Sequence, residues 1–154
     1  DASVLAYRQL PEEQFARHLA FFQRLQNYYI DSKNRLFVHA GFTNPRGIEV
    51  EFFEEYLYWD RTLWEMVMAM DPTLDSSSPL YPKRLKFHEE IYIGHTPVTH
   101  FGFDVPVNFA NVWNIDTGAA FLGKISVMDI ETKEYWQSDV VADLYPTEEG
   151  RNHG

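Results

Sequence analysis

A mixed α/β fold is predicted by three features of the sequence. One early stretch repeats apolar residues at helical spacing. Two short apolar runs each give way to small residues and a histidine. The last third is broken into brief strand-like runs separated by turn residues.

Taken in order, the elements read as follows. Pro11-Glu12-Glu13 opens a helix, with Pro in the first turn and two carboxylates near the positive end of the helix dipole. Phe15, Leu19, Phe22, Leu25 and Tyr29 then form one apolar stripe, and the helix gives out by the polar turn Asp31-Ser32-Lys33-Asn34. Arg35-Leu36-Phe37-Val38-His39-Ala40-Gly41 is too brief for a helix and reads as a buried strand ending at His39. From Glu49 to Met70, acids alternate with large apolar residues, which predicts two helices or one bent near Trp59-Asp60-Arg61. Glu49, Glu51, Glu54 and Glu55 read as a solvated helix face. Asp71-Pro72 and Asp75-Ser76-Ser77-Ser78-Pro79 form a loop. Glu90-Ile91-Tyr92-Ile93-Gly94-His95-Thr96-Pro97 repeats the strand-then-histidine pattern. Val112–Ile115, Lys124–Ile130 and Glu134–Gln137 read as short strands, the last two joined by Glu131-Thr132-Lys133. From Pro146 onward the chain is polar. Trp64, Trp113 and Trp136 are expected in the core.

The chain has 154 residues, 45% of them hydrophobic and 16% aromatic, enough for one globular domain or a large part of one. Its net charge of −10 should repel nucleic acid and anionic membrane. An acidic protein that handles an anionic substrate needs local positive charge from arginine, lysine or metal. There is no cysteine, so disulfides, cysteine nucleophiles and thiolate metal sites are excluded. No run reaches the length of a membrane span. Asp1-Ala2-Ser3-Val4-Leu5 has no basic region or initiator Met, so it does not read as a signal peptide; the expectation is a chain that begins inside a longer protein.

The candidate chemistry lies at the strand ends. His39 precedes Ala40-Gly41, and His95 sits between Gly94 and Thr96. A histidine where a strand becomes a loop points out of the sheet edge, where α/β sheets bind ligands. Neutral imidazole is the commonest protein ligand for transition metals, although a lone histidine is more often a satisfied core residue. His88 and His100 have ordinary flanks. Asn152-His153 belongs to the polar tail.

Four motifs occur in order: Phe37-Val38-His39-Ala40-Gly41-Phe42, Leu57-Tyr58-Trp59-Asp60-Arg61, Ile93-Gly94-His95-Thr96-Pro97 and Asn114-Ile115-Asp116-Thr117-Gly118-Ala119. Together, and with Gly123-Lys124-Ile125-Ser126-Val127 after them, they resemble the second half of the serine/threonine phosphoprotein phosphatase branch of the calcineurin-like metallophosphoesterases. The bacterial and phage members are the most similar. The resemblance implies an α/β sandwich of mixed sheets flanked by helices. Residues 1–140 would be its C-terminal part and 141–154 a polar tail. It implies that His39 and His95 ligate one of two divalent ions, with Mn²⁺ favoured and Fe, Zn or Ni as alternatives. Arg61 would bind the substrate phosphate through its planar donors; the competing reading is a salt bridge to Asp60 or a nearby Glu. Asp116 would either orient a ligating histidine or cap the following turn.

The implied activity is hydrolysis of phosphoserine or phosphothreonine, or of small phosphoesters, by water activated between the two ions in a cytoplasmic enzyme. A symmetrical dinucleoside tetraphosphate hydrolase and a non-catalytic binding module are the alternatives. Members of this branch also carry Asp-x-His, Gly-Asp-x-x-Asp-Arg and Gly-Asn-His motifs that supply the remaining ligands and the general acid. None occurs upstream of His39. The expected partner is therefore a missing N-terminal half or a second copy of the chain, and the chain alone is expected to be inactive.

Overall fold

The computed structural model describes residues 10–146. The Asp1–Leu5 and Asn152-His153 segments lie outside them. Within them the chain is a mixed α/β structure built on a five-stranded sheet. In chain order the elements are α1 (Glu12–Phe22), β1 (Tyr28–Ile30), β2 (Arg35–Val38), α2 (Tyr56–Trp59), α3 (Thr62–Ala69), β3 (Glu90–Ile93), β4 (Val107–Phe109), β5 (Val112–Asn114), β6 (Ser126–Met128), β7 (Tyr135–Gln137) and α4 (Val141–Leu144). Short 3₁₀ turns cover Ile48–Val50, Lys83–Phe87 and Val98–Phe101.

The strand order is β1-β2-β3-β5-β4, with β6 and β7 forming a separate hairpin. Strands β2, β3 and β5 run parallel, and β1 and β4 close the edges antiparallel. The parallel register aligns Leu36 with Ile91 and Ile91 with Val112, while Phe37, Tyr92 and Trp113 align on the other face. One face is thus aliphatic and the other aromatic. The aliphatic face packs against Leu63, Trp64 and Val67 of α3, with Phe42, Leu57 and Leu85 completing a core from which water is excluded. On the aromatic face, Phe37 stacks on Tyr92 with ring centroids 5.0 Å apart, and Tyr29 stands 6.1 Å from Phe37.

Several expectations are corrected. The first helix stops at Phe22, because i→i+3 bonds from Arg24 and Leu25 tighten its end, and Tyr29 lies on β1 instead. None of its residues is buried, so its apolar stripe is uncovered among the described residues. The Glu49–Met70 stretch holds two α-helices, as one of its two expected forms had it, and breaks at Asp60, whose side chain accepts the N–H groups of Thr62 and Leu63 and starts α3 afresh. Glu51 is not on a solvated helix face: it takes N–H donors from Thr43, Asn44 and Phe52. Burial pushes its pKa up, but these donors outweigh burial and leave it lowered. Trp64 is buried, whereas Trp136 is 58% exposed on the hairpin. Strands β1 and β4 had no strong sequence signal. No helix among the described residues is long and apolar enough to cross a membrane.

Candidate metal and phosphate site

Two neighbouring parallel strands, β2 and β3, end side by side and release His39 and His95 at the same edge of the sheet. The ladder continues one step beyond the strands, since the Gly94 N–H donates to the His39 carbonyl at 2.8 Å. The Ile115 N–H likewise donates to the Ile93 carbonyl at 3.0 Å, which brings the segment after β5 to the same edge. His39 and His95 therefore converge, with ring centroids 5.2 Å apart and planes inclined by 60°. Metal–imidazole bonds of about 2.0–2.1 Å can span such a gap to one shared ion.

His95 has a φ of +65°, a left-handed conformation in which a non-glycine residue is uncommon. It is held there by its neighbours. The Thr96 N–H bonds to the Gly94 carbonyl at 2.7 Å, and the buried Asn114 side chain donates to the Thr96 carbonyl at 2.8 Å. Backbone strain maintained by surrounding structure is characteristic of functional positions. The edge of the His95 ring also meets Trp59, with centroids 5.2 Å apart and planes at 88°.

The Trp59-Asp60-Arg61 segment is fixed to the loop after His39. Ala40 N–H donates to the Leu57 carbonyl at 2.9 Å. Asp60 is buried, and its carboxylate receives Thr62 through both N–H and hydroxyl at 3.0 and 2.7 Å, and the Leu63 N–H at 3.1 Å. Asp60 also lies against Gly41, where a Cβ would stand 2.6 Å from its Oδ2, so only glycine fits that close approach. With Asp60 committed to starting α3, Arg61 is left exposed and makes no ion pair among the described residues. Neither Asp60 nor a nearby Glu pairs with it among the described residues.

Asp116 caps its turn: its Oδ1 accepts the Gly118 N–H at 2.9 Å. A Cβ on Gly94 would lie 3.6 Å from Asp116 Cβ and 3.6 Å from the His39 carbonyl oxygen, ordinary contact distances. Asp116 thus borders the histidine pair. Gly118 differs: at φ +77° a side chain would be strained, and a Cβ there would lie 2.8 Å from Thr99 Oγ1.

Among the described residues there is no cluster of three or more His, Asp or Glu able to hold a metal. The two imidazoles stand together, bordered by the turn-capping carboxylate of Asp116. A groove of about 450 Å³ runs from His39 along Tyr28, Tyr29, Phe37, Tyr58 and Tyr92. This groove follows the aromatic sheet face, and Arg61 does not line it. No protein-family model matches the chain, and no curated protein matches it.

Sequence reasoning missed the parts played by Asp60 and Trp59, although both lie inside a motif it had singled out. Each acts through a contact distant in sequence, with Gly41 and His95 respectively. A lone acid between tryptophan and arginine carries no local mark of such a contact.

Proposed function

We propose that this chain carries one half of a two-metal phosphatase centre, holding one divalent ion through His39 and His95 and the substrate phosphate through Arg61. The convergence of two imidazoles at the ends of adjacent parallel strands is the observation that carries this reading. Arg61, which is exposed and has no ion-pair partner among the described residues, supports it, because its guanidinium can donate to two phosphate oxygens in fork geometry. In an acidic protein it also supplies the local positive charge that an anionic substrate requires.

Bound ions would supply the activated water and the charge that stabilises phosphoryl transfer. The chain's own residues do the remaining work. The β2 and β3 ends hold the imidazoles, Trp59 packs against His95, and the Asp60 cap presents Arg61 outward. Phosphoserine, phosphothreonine or a small phosphoester is the proposed substrate class, with a dinucleoside tetraphosphate as the alternative. The missing carboxylate ligands come, in this reading, from an N-terminal half of the same sandwich or from a second copy of the chain.

Turnover of p-nitrophenyl phosphate tests the proposal. The 154-residue chain alone should be inactive with added Mn²⁺, Ni²⁺ or Zn²⁺, since metal sites typically use three or four protein ligands. It should still bind Ni²⁺ weakly, and His39→Ala or His95→Ala should abolish that binding. Arg61→Ala should leave Ni²⁺ binding intact and weaken inorganic phosphate binding to the Ni²⁺-loaded chain by about tenfold, the loss of one charge-assisted pair. Ni²⁺ binding that survives both histidine substitutions would sink the metal assignment. Turnover by the isolated chain would show that it has further ligands.

A further inference from the structure

We infer that Arg84 is a positioning residue, whose forked guanidinium ties the loop that follows His39 to the turn that carries Arg61 and so sets the spacing between metal ligand and phosphate ligand. The inference rests on the roles proposed above for His39, His95 and Arg61. Arg84 sits on the 3₁₀ turn Lys83–Phe87, far from those motifs in sequence, and its neighbour Leu85 is fully in the core. Its Nη1 donates to the Phe42 carbonyl at 2.8 Å and lies 3.3 Å from Thr62 Oγ1. Its Nη2 donates to the Thr62 carbonyl at 3.0 Å and lies 3.3 Å from Met66 Sδ. Phe42 closes the segment that His39 opens, and Thr62 follows Arg61 directly. One rigid planar group thus spans the two backbones that the proposed site needs at a fixed separation.

The setting is unusual for a charge. Arg84 is half-buried and has no ion-pair partner among the described residues; burial pulls its pKa below the ordinary arginine value, with Asp60 and Glu51 acting the other way at longer range. Desolvating a guanidinium without a carboxylate is costly, so filling space is a poor explanation for it. A bridge between two carbonyls held by two nitrogens at a fixed spacing, which a single ammonium on a flexible stem does not provide, is what the fork offers. Asp60 against Gly41 makes a second, shorter contact between the same two segments.

The test uses the full ¹⁵N-labelled chain with Co²⁺ as the only added metal. In the wild type, Co²⁺ should shift the ring signals of His39 and His95 and impose pseudocontact shifts on the Arg61 and Thr62 amides. In Arg84→Lys, which keeps the stem and the charge, Co²⁺ should bind as before. The Arg61 and Thr62 pseudocontact shifts should fall to half or less, because the turn now samples several positions. Phosphate affinity of the Co²⁺-loaded chain should drop by about tenfold, the scale expected of a small misplacement. Arg84→Met should do the same; should it fail to fold, Arg84→Lys decides alone. Full-sized pseudocontact shifts in Arg84→Lys would overturn the role of Arg84 while leaving the metal site standing. No response of His39 and His95 to Co²⁺ in the wild type would overturn the metal reading and this inference together.

Discussion

Gly41 is the residue at which two parts of the candidate site share the least room. A side chain there meets the Asp60 carboxylate at 2.6 Å and Leu63 Cβ at 3.1 Å, and the carboxylate cannot retreat without releasing Thr62 and Leu63. Gly41→Ala should therefore cost about 1–3 kcal/mol through overpacking and loss of the helix cap. A denaturant midpoint within error of wild type would refute this. His88 makes a different point. Its Nδ1 lies 3.1 Å from Asn34 Oδ1, its Nε2 is buried with no hydrogen-bond partner among the described residues, and its ring meets the edge of Phe42. Burial lowers its pKa, and Glu49 opposes that only in part. Above about pH 6.5 the ring is neutral in folded and unfolded chains alike. As the pH falls through that value the unfolded chain takes up a proton that the folded chain resists, so stability is lost on the acid side. The difference in Tm between pH 7.5 and pH 5.5 should shrink in His88→Gln; an unchanged difference would show that other groups set it.

Among the elements, the β6–β7 hairpin is held by charge more than by apolar packing. Val127, Tyr135 and Trp136 remain exposed. Lys133, in the hairpin turn, instead reaches Glu90 at 2.6 Å, the Tyr92 hydroxyl and the Ile130 carbonyl. Glu131 meets Arg35 at 2.8 Å and Lys33 at 2.6 Å. Lys133→Met should speed amide hydrogen exchange across β6 and β7 several-fold and leave the β2–β3 ladder unchanged. Equal exchange in both proteins would mean that packing holds the hairpin. The strands that carry the histidines were legible in the sequence because each is a compact apolar run that ends in a histidine with a glycine one or two positions away. The break at Asp60 was legible only as a choice between one helix and two, since the side chain that decides it acts on backbone donors and leaves no periodic trace. Strands β1 and β4 are three residues each and are defined by their partners, so nothing local announces them. Arg84 was invisible for the same reason: what matters about it is a bridge between Phe42 and Thr62.

Across the whole molecule, the parallel pairing of β2 with β3 has a consequence for the order of assembly. Parallel neighbours cannot be joined by a tight turn, and here α2, α3 and the Asp71–Pro79 loop intervene before Leu36 can meet Ile91. Closing so long a loop is entropically unfavourable until the whole ladder is made, and topologies rich in such contacts fold slowly. His39 and His95 are each at the end of one of those strands, so neither strand alone can offer a two-histidine grip. Capacity to bind Ni²⁺ should accordingly return during refolding at the same rate as the slowest recovery of sheet signal, in one kinetic phase. Stopped-flow measurements that find Ni²⁺ captured well before the sheet forms would mean that the histidines meet in a collapsed chain without the ladder. Coincident rates would make bound metal a reporter of the last long-range closure in the fold.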